Sequence, residues 1–230
     1  MFSIAIDGPV SSGKSTVAKI IAERLNILHL NTGALYRAIG LYAYRNNIAS
    51  FVDKNGVSHL NEEEMERLIN EVHIDVKFID GKQHTLLNGE DVSTLLHNPL
   101  ISDYSSRVSV IKKVREHILN LQRSIASKQS VVMEGRDITS HVLPNSKYKF
   151  YLTASPDIRA KRRFQEEIEK GNKNLTYEQV LSEVKIRDFR DTTREICPLV
   201  ITKDSIVINT DNLTEPNLVA DEIMKYIKER

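Results

Sequence analysis

The sequence predicts an α/β fold: a parallel central sheet with helices on both faces, carrying one small antiparallel insert. Three observations predict it. Short apolar runs alternate with segments of helical period along most of the chain. The first apolar run ends in a glycine-bounded loop that opens directly into a helix. A stretch before the middle breaks this pattern with residue-by-residue alternation and two turn dipeptides. With 230 residues, 40% apolar and 27% charged, the chain is one globular unit with material for a buried core.

Residues 2–6, apolar apart from Ser3, are expected as a buried strand. The 8–13 loop follows, and Val17, Ile20, Ile21, Ala22 and Leu25 then recur at helical spacing. Residues 27–30 read as a second strand and 34–44 as a helix. Residues 62–69 read as helical. Residues 73–79 alternate, with Ile74, Val76 and Phe78 on one face. Asp80-Gly81 predicts a hairpin turn into a return strand at 84–87, and Asn88-Gly89 predicts another turn. This piece, about 61–102, is the antiparallel insert. One long amphipathic helix is expected over 103–126. Strands follow at 131–133 and 149–152, then charged helices broken at Gly171, a last strand at 205–208 and a helix at 215–227.

Thirty-two Lys and Arg face 31 Asp and Glu, a net charge of +1. That balance argues against a general nucleic-acid or membrane-surface field, so neither partner is expected. Cys197 is the only cysteine. It leaves no internal disulfide, which fits a reducing compartment, and a lone Cys before Pro198 reads as inert. No stretch approaches the roughly 20 apolar residues of a membrane span. Residues 1–6 lack a basic n-region, so no signal peptide is expected and the cytoplasm is the expected location. Seven histidines without H-x-H or H-E-x-x-H spacing argue against an all-protein zinc site.

Gly8-Pro9-Val10-Ser11-Ser12-Gly13-Lys14-Ser15 fits G-x-x-x-x-G-K-[ST] throughout. The two glycines let successive N–H groups point inward, and the following helix adds its positive dipole end. Lys14 is expected to reach the β and γ phosphates, and the Ser15 hydroxyl to ligate Mg²⁺. The pattern predicts a nucleoside triphosphate site. It leaves GTPases, helicases, ATPases and small kinases open, although the N-K-x-D string of a guanine site is absent.

A small-molecule kinase needs a second anion site and cations that cover the transferred group. Thr32-Gly33-Ala34-Leu35-Tyr36-Arg37 brings a hydroxyl, a helix start and a guanidinium together. Gly135-Arg136-Asp137 follows a strand end, the usual ligand edge of a parallel sheet. Arg159, Arg162 and Arg163 lie together on one predicted helix. Arg187, Asp191 and Arg194 share a helical face at i, i+4, i+7, with Arg190 beside them. Arginine, rather than lysine, suits planar recognition of phosphate.

In this order, with Ser106 and Val114-Arg115 before Gly135-Arg136-Asp137-Ile138, and Arg187-Asp188-x-Arg190-Asp191-x-x-Arg194 before Cys197-Pro198-Leu199, the motifs resemble the bacterial cytidylate kinases, a family of nucleoside monophosphate kinases. The resemblance covers nearly the whole chain. It implies a three-layer P-loop NTPase fold with a parallel central sheet, a small β-containing NMP-binding insert and a helical lid. The core would be about 1–37, 103–155 and 180–230, the insert about 38–102 and the lid about 156–179. It implies ATP-dependent phosphorylation of CMP and dCMP by a monomer, with Mg²⁺.

By the same resemblance, Gly8, Pro9, Val10, Ser11, Ser12, Gly13, Lys14, Ser15 and Thr16 would bind ATP. Ser106, Arg115 and Asp137 would read the cytosine edge: a carboxylate accepts from its amine, while Arg and Ser donate to its acceptors. Thr32, Arg37, Arg136 and Arg194 would hold the monophosphate or the transferred group. Arg187 and Asp191 would contact the sugar. Lys14, Arg136, Arg159, Arg163 and Arg194 would be catalytic, with Arg159, Arg162 and Arg163 in the lid. Asn31 and Glu134 each stand where the family usually has Asp, and Thr139-Ser140 where it usually has Gly-Thr. Kinases of UMP, AMP or a phosphate-free acceptor, and a nucleotide-binding module without turnover, are the alternative readings.

Overall fold

The opening apolar run folds as β1 (Ser3–Asp7), buried over its last four residues, in a computed structural model that describes residues 1–54, 58–172, 174–213 and 215–228. Residues 55–57 of the expected insert and 173 of the expected lid lie outside the described residues. α1 (Lys14–Leu25) follows and closes on Asn26 in the left-handed conformation, φ 50°. Next come β2 (Leu28–Asn31), α2 (Thr32–Arg45), a hairpin of β3 (Ser50–Val52) and β4 (Ser58–Leu60), and α3 (Glu62–Leu68). β5 (Ile74–Ile79), β6 (Lys82–Leu87) and β7 (Glu90–Asp91) form an antiparallel meander. The chain continues through α4 (Pro99–Val108), α5 (Lys112–Lys128), β8 (Val131–Gly135) and one π-helical turn (Ile138–Val142). It ends with β9 (Tyr148–Thr153), α6 (Pro156–Glu169), α7 (Tyr177–Thr193), β10 (Ile206–Asn209) and α8 (Pro216–Lys228). No described helix is long and apolar enough to cross a membrane.

These elements form two compact units, residues 1–28 with 130–230, and residues 29–129. The first holds the parallel sheet, with β1 between β8 and β9 and β10 beyond β9. β1 is central and covered, hence its unbroken apolar run. The chain leaves this sheet at Leu28, whose N–H donates to Ser130 O at 3.2 Å. α1 and α8 pack on each other, α1 against β8 and α8 against β9, around Ile4, Ile6, Ile21, Phe150 and Ile223. Chain order reverses at β1, so the loops after β1, β8 and β9 meet at the carboxyl edge where such sheets take ligands. α6 and α7 form a separate pair around Ala160, Val180 and Val184, joined through Gly171 at φ 87°.

The second unit packs α2 and α4 over Leu35, Ile39, Met65, Ile69 and Ile118. Its meander has the expected turns. Asp80 and Gly81 (φ 49° and 72°) join the Ile79↔Lys82 pair, and Asn88 and Gly89 (φ 49° and 86°) join Leu87↔Glu90. Positive φ at both central residues is the hairpin turn those dipeptides favour. Within α2, Gly40 admits α4: a Cβ there would lie 2.8 Å from Ser105 N. Gly40→Ala is expected to cost about 1–3 kcal/mol by overpacking, read as a lower denaturation midpoint.

One expectation needs correction, and one element was not expected. The single helix over 103–126 is two helices. Ser109 N–H and Oγ donate to Ser105 O and Ser106 O (3.1 and 2.9 Å), Ile111 turns extended, and an Arg115 guanidinium N–H donates to Ser109 O at 2.8 Å. Val108, Ile111, Val114 and Ile118 remain buried at three- and four-residue steps, so the apolar period runs through the break and hides it. The β3–β4 hairpin was not expected either; all of β3 is exposed, so it carries no apolar alternation.

Candidate active site

The loop after β1 is built on backbone constraints. At Gly8 (φ 152°) a Cβ would meet Leu152 O at 2.0 Å, so only glycine leaves the sheet here. Ser11 and Gly13 take left-handed φ values of 56° and 88°. The curl turns amides inward, and α1 starts at Lys14 with no side-chain cap from Gly13. Its first N–H groups therefore remain for an anion. Lys14 is buried, and its Nζ donates to Pro9 O at 2.8 Å and Ser12 Oγ at 3.5 Å. Burial, then the Arg136 charge, pushes the Lys14 pKa down to about 7. An anion in the loop would restore the full charge.

Ser15 Oγ donates to Glu134 Oε1 at 2.7 Å, and Glu134 is buried. A hydroxyl and a carboxylate side by side are hard oxygen donors of the kind Mg²⁺ takes. No group of three or more His, Cys, Asp or Glu with metal-holding geometry occurs among the described residues.

After β8, Arg136 Nε donates to Asp191 Oδ2 at 2.8 Å. Burial alone would raise the Asp191 pKa, but Arg136, Arg187 and Arg194 outweigh it and hold it low. Burial works to lower the Arg136 pKa, and Asp191, with Glu134 and Asp7, more than offsets it. Arg194 Nε donates to Cys197 O at 2.7 Å, with Cys197 in a left-handed turn at φ 50°. Its guanidinium also lies 4.0 Å from Asp137. Lys14, Arg136, Arg187, Asp137, Asp191 and Arg194 are thus brought into one electrostatic cluster at the sheet edge.

The three α6 arginines look alike in sequence and go to different partners. Arg159 grips Asp188 with two nitrogens (2.9 and 2.5 Å) and also donates to Ala154 O and Val10 O. Arg162 donates to Thr210 Oγ1 and O at 2.9 and 2.6 Å. Arg163 pairs with Glu167 on its own helix at 2.9 Å.

In the second unit, the Asn31 side chain caps α2 by accepting from Ala34 N–H at 3.2 Å. Thr32 is buried at the helix start. A Cβ on Gly33 would sit 3.2 Å from an Arg37 guanidinium nitrogen, so glycine lets Arg37 fold back over that start. Arg115 is buried, its guanidinium 5.4 Å from the centre of the Tyr36 ring. Ser106 is buried too, and its Oγ has no hydrogen-bond partner among the described residues. A buried hydroxyl left in this state costs stability and is ready for a ligand.

Asp7 escaped the sequence reading. It is fully buried beneath the loop and accepts from Ile138 N–H, Thr139 N–H and Thr139 Oγ1 at 3.0, 2.7 and 2.6 Å. It thereby holds the turn that carries Arg136 and Asp137. Burial pushes its pKa up to about 6, against the Thr139 hydroxyl bond. The available signal was a lone carboxylate closing an otherwise apolar buried strand. Asp188, the partner of Arg159, was likewise given no role.

A family model described as cytidylate kinase matches residues 4–229. The chain is 45% identical over 212 residues to a protein named cytidylate kinase from Caldicellulosiruptor saccharolyticus, covering 92% of this chain and 89% of that one. It is 42% identical over 227 residues to a cytidylate kinase from Thermosipho melanesiensis, covering 99% and 97%. Among solved structures, an uncharacterized protein from Eubacterium ventriosum shares the fold at a TM-score of 0.52 and 16% identity, with full coverage of both chains.

Proposed function

The chain belongs to the cytidylate kinase family, and from that premise we propose that it transfers the γ-phosphoryl group of ATP reversibly to the phosphate of CMP or dCMP. The observation that carries this reading is the cluster of Lys14, Arg136, Arg187 and Arg194 at the edge of the phosphate-loop sheet. A monophosphate oxygen is already a competent nucleophile. No strong base is needed, and catalysis is positioning plus charge neutralisation.

The phosphate-loop amides and Lys14 hold the donor phosphates. Ser15, with Glu134 beside it, would hold Mg²⁺, which when bound neutralises charge on those phosphates. Arg136 and Arg194 clamp the group in transfer, and Arg187 and Asp191 take the sugar. Thr32 and Arg37 receive the monophosphate. Ser106 and Arg115 donate to the cytosine acceptors, and Asp137 accepts from its amine. The insert, about 38–102, and the lid, about 156–179, close to exclude water, with Arg159 and Arg163 supplied from the lid. The protein acts as a cytoplasmic monomer on small-molecule substrates.

The test is coupled ADP release with ATP, Mg²⁺ and a panel of CMP, dCMP, UMP, AMP and GMP. Turnover confined to CMP and dCMP is expected. Turnover only with another monophosphate overturns the base-reading set, and none with any overturns the kinase reading.

A pH dependence follows from Lys14. With its pKa at about 7 in the free protein, the ammonium is charged below that pH and neutral above it. Phosphate binding favours the charged form. The kcat/KM for ATP, which reports the free enzyme, is therefore expected to fall as pH rises from 7 to 9.

A further inference from the structure

Gln83 lies at the start of β6, in the meander, yet its side chain serves the start of α2. Its Oε1 accepts from Asn31 N–H at 2.8 Å, and its Nε2 donates to Asn31 O at 3.3 Å. The same Nε2 donates to Thr85 Oγ1 at 3.2 Å, and Thr85 is buried. One acceptor and two donor bonds define the amide's orientation, since a flipped amide would set donor against donor at Asn31 N–H. Gln83 and Thr85 share one face of β6, two residues apart. The amide acts as one extra ladder rung on the last residue of β2.

Asn31 is held at both its backbone groups by Gln83, while its own side chain caps Ala34 N–H. Thr32 and Gly33 lie between those two fixed points, and Arg37 folds over Gly33. We infer that Gln83 is a positioning residue for the monophosphate: its amide clasps Asn31 so that the α2 start and Arg37 present a preformed cradle. This rests on reading the Thr32 to Arg37 segment as the acceptor-phosphate site. The clasp supplies order rather than contact, so its loss weakens acceptor binding and leaves the donor site alone.

Gln83→Met keeps the length and removes all three bonds. Steady-state kinetics on the full chain should show KM for CMP raised about tenfold, with KM for ATP within about twofold. Backbone amide exchange, measured without substrate, should accelerate at Asn31 and Ala34 and stay unchanged in β8. Unchanged exchange at Asn31 and Ala34, or an unchanged KM for CMP, overturns the inference. Equal rises in both KM values with a lower melting temperature also overturn it, as the mark of general destabilisation. A parent protein that uses no monophosphate overturns the kinase reading and the positioning role together; faster exchange in that case marks the clasp as purely structural.

Discussion

Lys14→Met is expected to lower turnover about 10³-fold or more without loosening the fold. The residue is buried, and among the described residues its ammonium donates to Pro9 O and, at longer range, to Ser12 Oγ. Two neutral oxygens do not compensate for removing a charge from water, and the pKa near 7 records that cost. On the proposed reading, the cost would be recovered when donor phosphates enter the loop, and the interaction would grow as charge develops on the transferring group. Methionine fills the same volume and carries no charge. In the parent, the folded pKa lies below the unfolded value, so the buried charge costs most stability at and below pH 7, and stability rises with pH above it. The variant should therefore melt at an equal or higher temperature than the parent at pH 6. Turnover within tenfold of the parent would remove Lys14 from the mechanism.

What the chain disclosed in advance was what local chemistry determines. The phosphate loop was legible because Gly8, Gly13 and Lys14 need only their own backbone to curl and open a helix. The Asp80-Gly81 and Asn88-Gly89 turns were legible because positive φ is a property of those residues. The break after Val108 was not, since an Arg115 bond to Ser109 O, six residues back, helps stabilise it while the apolar period continues. Arg159, Arg162 and Arg163 show the same limit at the candidate site. One helix and one residue type give three destinations, because Asp188, Thr210 and Glu167 are chosen by packing. Asp7 and Gln83 stayed silent for a related reason: each acts on backbone groups far away in sequence, and backbone groups leave no residue signature.

Asp137→Asn is expected to cut kcat/KM for CMP about 10²-fold and to raise the UMP-to-CMP ratio. Asp137 is buried, so its charge is set against few waters and its hydrogen-bonding direction matters. A carboxylate only accepts, which matches the exocyclic amine of cytosine. The amide of Asn offers an NH₂ group, which opposes that amine but meets the carbonyl that uracil carries in the same place. Two further effects separate this account from its rival. Asp137 also lies 4.0 Å from Arg194, so losing its charge removes one of the groups facing the arginine proposed to clamp the phosphate, whatever the base. That loss should fall on CMP and UMP alike, whereas the amide's direction should divide them. Asp137→Ala removes charge and acceptor without adding a donor, so it should damage CMP use with no gain for UMP. The KM for ATP should hold in both variants. A constant UMP-to-CMP ratio across the parent, Asn and Ala proteins would mean that Asp137 serves Arg194 and that the base is read elsewhere.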